Sequence, residues 1–211
     1  MLAVADLHGK EDHLAMIAAH LHQFEPNLLI LAGDIFGRRG VTPVEDFLAK
    51  LSIPTFIVAG NSDPAKAMKK LEKISQVTHL HPNPIEFSGI PFIGLGGAVP
   101  IPFHAKIRLL EKPLLEQVTG HIQANTILIS HTPPRGSGDR VLGRFHSGSA
   151  GLARLVDTRQ PRLVICGHIH EDAGIFQRGN SCVVNCSLGG KGKGVLLEVD
   201  QSGVVKMLQT L

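Results

Sequence analysis

Five short apolar runs in this chain each end on a side chain that is costly to bury. Leu2–Ala5 runs into Asp6, Leu28–Ala32 into Gly33-Asp34, Thr55–Ala59 into Gly60-Asn61, Thr126–Ser130 into His131, and Leu163–Cys166 into Gly167-His168. Short, continuous runs of aliphatic and β-branched residues bounded by turn residues read as strands buried on both faces. In layered α/β folds the carboxyl ends of such strands gather at one edge, where ligand sites form. An unpaired Asp, Asn or His inside a packed core is expensive. The pattern therefore predicts a layered α/β fold whose polar strand ends converge in space.

The segments between the runs agree. Glu11–Phe24 carries Leu14, Ile17, Ala18 and Leu21 on one helical stripe. Pro43–Leu51 and Pro64–Ile74 read as helices that open on proline. Ile85–Phe87 and Phe92–Leu95 predict a hairpin, and Pro100–Ala124 a helix interrupted at Pro113. Residues 132–147 form a long Gly/Pro/Arg-rich loop, followed by a helix over Ser149–Thr158 with Ser147 or Ser149 as its cap. Gly174–Gln177, Cys182–Cys186, Gly194–Val199 and Val204–Leu208 have strand spacing, with a last turn at Ser202-Gly203. No repeat or linker intervenes, so residues 1–211 are expected to form a single domain.

Composition narrows the function. Lys and Arg exceed Asp and Glu by only 3, too few to make nucleic acid or a membrane the main partner. The absence of Trp and Tyr leaves no stacking platform for single strands. Three Cys with no CxxC pair exclude a disulfide scaffold and a zinc ribbon. Cys182 and Cys186 are expected on one buried strand face. No signal peptide or apolar run of membrane-spanning length is present, which points to the cytoplasm. Histidine is the excess, with 12 copies.

Collected together, the strand-end residues and their neighbours are Asp6, His8, Asp34, Asn61, His131, His168 and His170. Oxygen and imidazole donors without thiolate suit Mn²⁺, Fe²⁺, Zn²⁺, Ni²⁺ or Co²⁺, with manganese the first expectation. Seven donors exceed the needs of one ion and fit two ions that share a carboxylate. Such a pair can hold a bridging hydroxide and clamp a phosphoryl group undergoing in-line displacement.

In order, Asp6-Leu7-His8, Gly33-Asp34, Gly60-Asn61-Ser62-Asp63, His131 and Gly167-His168-Ile169-His170 resemble the motifs of the calcineurin-like metallophosphoesterases. The resemblance spans residues 4–190. Ser130-His131-Thr132-Pro133-Pro134, His170-Glu171, Val184-Asn185 and Ser187-Leu188-Gly189 are similar to its small bacterial and archaeal branch. It implies a four-layer α-β-β-α sandwich. It also implies that Asp6, His8 and His170 hold one ion, that Asn61, His131 and His168 hold the other, and that Asp34 bridges them. Asp34, His131 and Arg38 would act in hydrolysis, Arg38 as a phosphate clamp. The implied partner is a small phosphoester, with a homo-oligomer compatible.

Two departures matter. Many members of that family carry His after the motif Asn, assigned to protonating the leaving group, and here Ser62 occupies the position. A serine hydroxyl has no useful proton to give near neutral pH. Phosphodiesters or esters with good leaving groups are therefore the expected substrates. Gly37 stands where protein phosphatases carry Asp, which argues against that identity. His146 falls in the loop that could cover the site and could replace the missing donor, although a surface histidine is the simpler reading. Asp63 is expected to turn His131 or to tie its own loop. Gly189–Gly194 lacks the Lys-Ser/Thr ending of a phosphate loop and reads as a hairpin turn. The contrasting function is a non-catalytic scaffold of the same fold, which would show eroded ligands; none of the seven positions is eroded.

Overall fold

The computed structural model describes residues 1–37, 42–82, 84–96, 108–190, 192–200 and 205–210. Two six-stranded sheets face each other. In the first, β1 (Leu2–Val4), β2 (Leu29–Ala32), β3 (Thr55–Val58) and β4 (Val77–His79) run parallel. β13 (Val195–Val199) and β14 (Val205–Thr210) extend the sheet antiparallel beyond β1. The second sheet is built on parallel β6 (Ile90–Leu95), β7 (Ile127–Ser130), β10 (Leu163–Cys166) and β12 (Ser181–Asn185). Antiparallel β5 (Ile85–Phe87) and β11 (Gly174–Arg178) form its two edges.

Alternation along each strand separates the layers. Ala3, Ala5, Ile30, Ala32, Phe56, Ile129 and Ile165 point into the space between the sheets. Leu2, Val4, Leu29 and Leu31 point the other way, onto α1 (Glu11–Phe24), α2 (Thr42–Ala49) and α3 (Ala65–Leu71) through Leu14, Ile17, Leu48 and Met68. Leu128, Val164 and Cys166 meet α4 (Arg108–Thr119) and α5 (Ala150–Arg159) through Val118, Leu152 and Val156. The architecture is the four-layer α-β-β-α sandwich. Each fully buried Leu, Ile or Val contributes roughly 1.5–3 kcal/mol, so the three apolar layers supply most of the stabilisation.

Several elements differ from the sequence reading. β4 is an extra strand that the short, polar Val77-Thr78-His79 conceals. The helix α4 runs through Pro113. The proline falls where intrahelical bonds are only beginning, so its missing N–H removes one early bond. The long loop contains a small ribbon, β8 (Arg140–Val141) with β9 (Phe145–His146). The glycine-rich stretch 189–194 joins β12 in one sheet to β13 in the other, so it is a crossover and not a hairpin turn. Cys186 is buried and Cys182 half-buried, both against the inter-sheet layer. Ser149 caps α5 by accepting a hydrogen bond from Leu152 N at 2.8 Å. Ser202-Gly203 and the start of the Pro100–Ala124 segment lie outside the described residues.

Candidate metal centre

The parallel strands of both sheets end at one edge, and backbone bonds stitch those ends together. Asp6 N donates to Gly33 O at 3.0 Å, and His8 N to Asp34 O at 2.9 Å. Within the second sheet Gly167 N donates to His131 O at 3.0 Å, and across the two sheets Leu188 N donates to Ala5 O at 2.9 Å. Four of the seven candidate ligands sit in the left-handed backbone region: Asp6 at φ 62°, His8 at 50°, Asp34 at 51° and His168 at 71°. Each such non-glycine residue costs about 1–2 kcal/mol. Strain of this kind persists where a site over-determines the backbone.

The turn glycines exist because side chains occupy their space. A Cβ on Gly60 would overlap the backbone N and Oδ1 of Asp34. One on Gly33 would lie 2.7 Å from Cβ and Cγ of His131, and one on Gly167 would lie 2.8 Å from Asp6 Oδ2.

Two donor groups form. Asp6, His8 and His170 offer atoms within 4.8 Å of one another, and so do Asp6, Asp34 and His131. Asp6 is 1% exposed and Asp34 4%. Asp6 Oδ2 accepts from His168 N at 2.9 Å. Its Oδ1 lies 3.3 Å from His170 Nε2 but makes no well-directed hydrogen bond, and it is buried. Asp34 Oδ1 accepts from Ser62 N at 2.8 Å. The buried His131 ring is oriented by Ala32 O, 2.9 Å from Nδ1. A carbonyl can only accept, so Nδ1 carries the proton. In the neutral ring Nε2 is then a lone pair, facing Asn61 Oδ1 at 3.0 Å and Asp34 Oδ1 at 3.5 Å. These three acceptors face one another with no proton between them, and a cation resolves that arrangement. The residues present fit divalent metal. The His168 ring packs edge-on against His131 at 5.0 Å between centroids, and His8 lies 5.7 Å from His170.

The charges follow the same logic. Burial opposes ionisation of Asp6, yet His170, 3.3 Å away, and the nearby His131 outweigh it and hold the carboxyl at about 2. Burial pushes His168 down to about 4, with His131 adding to the effect. The adjacent Asp6 carboxylate raises His170.

The structure thus brings together Asp6, His8, Asp34, Asn61, His131, His168 and His170. Arg38 lies outside the described residues. Asp63 ties its own loop and does not touch the His131 ring nitrogens: Oδ1 accepts from Phe36 N at 3.0 Å and Oδ2 from Gly60 N at 2.8 Å. Burial raises its carboxyl even so. The sequence reading missed the part of Asn185, whose amide donates to Gly138 O at 2.9 Å and Ile169 O at 2.8 Å. It fixes the backbone between His168 and His170. Its place at the end of β12, beside Cys166 at the end of β10, was the available signal.

Comparison with known proteins gives the family and the fold. The family model for calcineurin-like phosphoesterases matches residues 1–172, and the chain belongs to that family. An uncharacterized protein of Methanocaldococcus jannaschii, MJ1162, is 29% identical over 198 residues, 89% of this chain and 87% of that one. The crystal structure of TT1561 of Thermus thermophilus superposes with a TM-score of 0.64 at 19% identity, covering 98% of this chain and 96% of the other. A dimetal phosphatase from Danio rerio gives 0.60 at 12% identity, over 90% and 86% of the two chains. Among the described residues no helix is long and apolar enough to cross a membrane.

Proposed function

We propose that the chain is a binuclear metal-dependent phosphoesterase that prefers phosphodiesters or esters with good leaving groups. One observation carries this reading: Asp6, Asp34, Asn61 and His131 aim acceptor atoms at common points at the seam of two sheets. Asp6, His8 and His170 would hold one ion, Asn61, His131 and His168 the other, and Asp34 both, with manganese the first expectation. Divalent ions in such a cage supply an activated hydroxide and neutralise phosphoryl charge.

The chain's own contribution is fixed geometry. Ala32 O sets the His131 tautomer, Ser62 N turns the Asp34 carboxylate, and His168 N turns that of Asp6. Donors already oriented need no reorganisation when a phosphoryl group arrives. Ser62 presents its backbone N–H to Asp34 and has no acidic proton for a leaving group, which favours diesters and activated esters. Arg38 is kept as the candidate phosphate clamp. The test is hydrolysis of bis(4-nitrophenyl) phosphate in Mn²⁺. Asp34→Asn and His170→Ala should each lose at least 100-fold in kcat/KM. Wild-type-like turnover in either variant contradicts the reading.

A further inference from the structure

The ribbon that follows His131 carries a histidine mounted on a buried carboxylate. Asp139 is fully buried in a loop, an unusual place for an acid. Its Oδ1 lies 2.7 Å from His146 Nδ1, and its Oδ2 accepts from Gly148 N at 2.9 Å. The His146 side chain is 41% exposed. His79 also has a carboxylate partner, Glu72 at 2.7 Å, but its Nε2 is buried and cannot meet a ligand.

The ribbon is strapped to the turn that bears the candidate ligands. Arg140 N donates to Asp172 Oδ2 at 2.9 Å, and Leu142 N to Glu171 Oε2 at 2.6 Å. Glu171 and Asp172 directly follow His170. Asn185 ties Gly138, the neighbour of Asp139, to Ile169 between the two histidines. His146 stands opposite Arg140 in the ribbon. The groups around His146 are Asp139, Arg140 and Arg135, whose Nη1 donates to His146 O at 3.1 Å. Arg144, beside it, lies over the Phe145 ring at 4.6 Å.

We propose that His146, positioned by Asp139, protonates the leaving-group oxygen of the phosphoester. The inference rests on the phosphoesterase reading above, supplies the proton that Ser62 cannot, and so extends that reading from activated esters to poorer leaving groups. In the step, hydroxide forms the new P–O bond while the P–O bond to the leaving group breaks. The bonding electron pair stays on the leaving oxygen, which takes the Nε2 proton of the imidazolium. Neutral His146 keeps its Nδ1 proton on Asp139 and regains the other from water. A buried carboxylate on Nδ1 fixes the ring and keeps a proton on that nitrogen, which is a use such a pair has in general acid–base catalysis.

The test is a leaving-group series on the Mn²⁺-loaded protein, from bis(4-nitrophenyl) phosphate to diesters of phenol and of simple alcohols. His146→Gln should leave the 4-nitrophenyl diester within about 2-fold of wild type and lose about 100-fold or more on the poor leaving groups. Added imidazole should restore part of the loss in His146→Ala. Asp139→Asn should show the same selective loss, and the metal-free protein should show the His146 Nδ1 proton by ¹⁵N NMR. A loss equal across the series, no loss on any member, or an unprotonated Nδ1 overturns the proposal while leaving the phosphoesterase reading intact. A wild-type protein inactive on the whole series overturns both.

Discussion

At the residue scale, the site is defined by where protons are not. Ala32 O fixes the proton of His131 on Nδ1, and the other nitrogen faces oxygen atoms only. Small changes around such a cage should act on metal before they act on fold. Gly60→Ala would push a methyl group into Asp34, and metal affinity by isothermal titration should fall 10- to 100-fold; unchanged affinity would contradict the packing argument. Acid should act on the same residues. The folded pKa of His168 is about 4 against an ordinary 6.5. Between those values the unfolded chain binds a proton that the folded chain does not, so stability falls as pH falls through that window. The contribution of His170 has the opposite sign, but it is lost above pH 6.5 and adds no slope below it. Melting of the metal-free protein should therefore drop from pH 6.5 toward 4, and less steeply in His168→Asn.

At the element scale, short connections do the positioning. Ser149→Ala should cost about 1 kcal/mol in denaturant unfolding, because α5 would lose the acceptor for Leu152 N. That cap was legible in the sequence, as were α1, β10 and the strand ends bearing Asp6, Asp34, Asn61, His131 and His168. They were legible because strong apolar periodicity and a polar stop coincide in one short stretch. β4 was not, since Val77-Thr78-His79 has a single apolar residue and is specified by pairing with β3. The β8–β9 ribbon was hidden for a related reason. Its two-residue strands are held by Glu171 and Asp172 from about thirty positions away, and no local pattern encodes such a partner. Likewise, nothing near Asp63 tells whether it reaches His131 or its own loop; only the folded approach of Phe36 and Gly60 decides it.

At the scale of the whole molecule, the candidate ligands come from both sheets. Asp6, His8, Asp34 and Asn61 follow strands of the first; His131, His168 and His170 follow strands of the second. Ions bound there would clamp the sheets together, so the protein with saturating Mn²⁺ should melt higher than with chelator. At a free ion concentration 100 times Kd the gain is about 2.7 kcal/mol per site. Asp34→Asn should remove most of it. The sheet order and the crossover of residues 189–194 were beyond the sequence, because strand pairing across long separations leaves no periodic trace. The most direct measurement is anomalous diffraction from crystals grown with manganese. The account predicts two peaks roughly 3.5–4 Å apart, one against Asp6, His8 and His170, the other against Asn61, His131 and His168, with Asp34 between them. No peak at the seam, or the seven side chains turned away from any ion bound there, would contradict it.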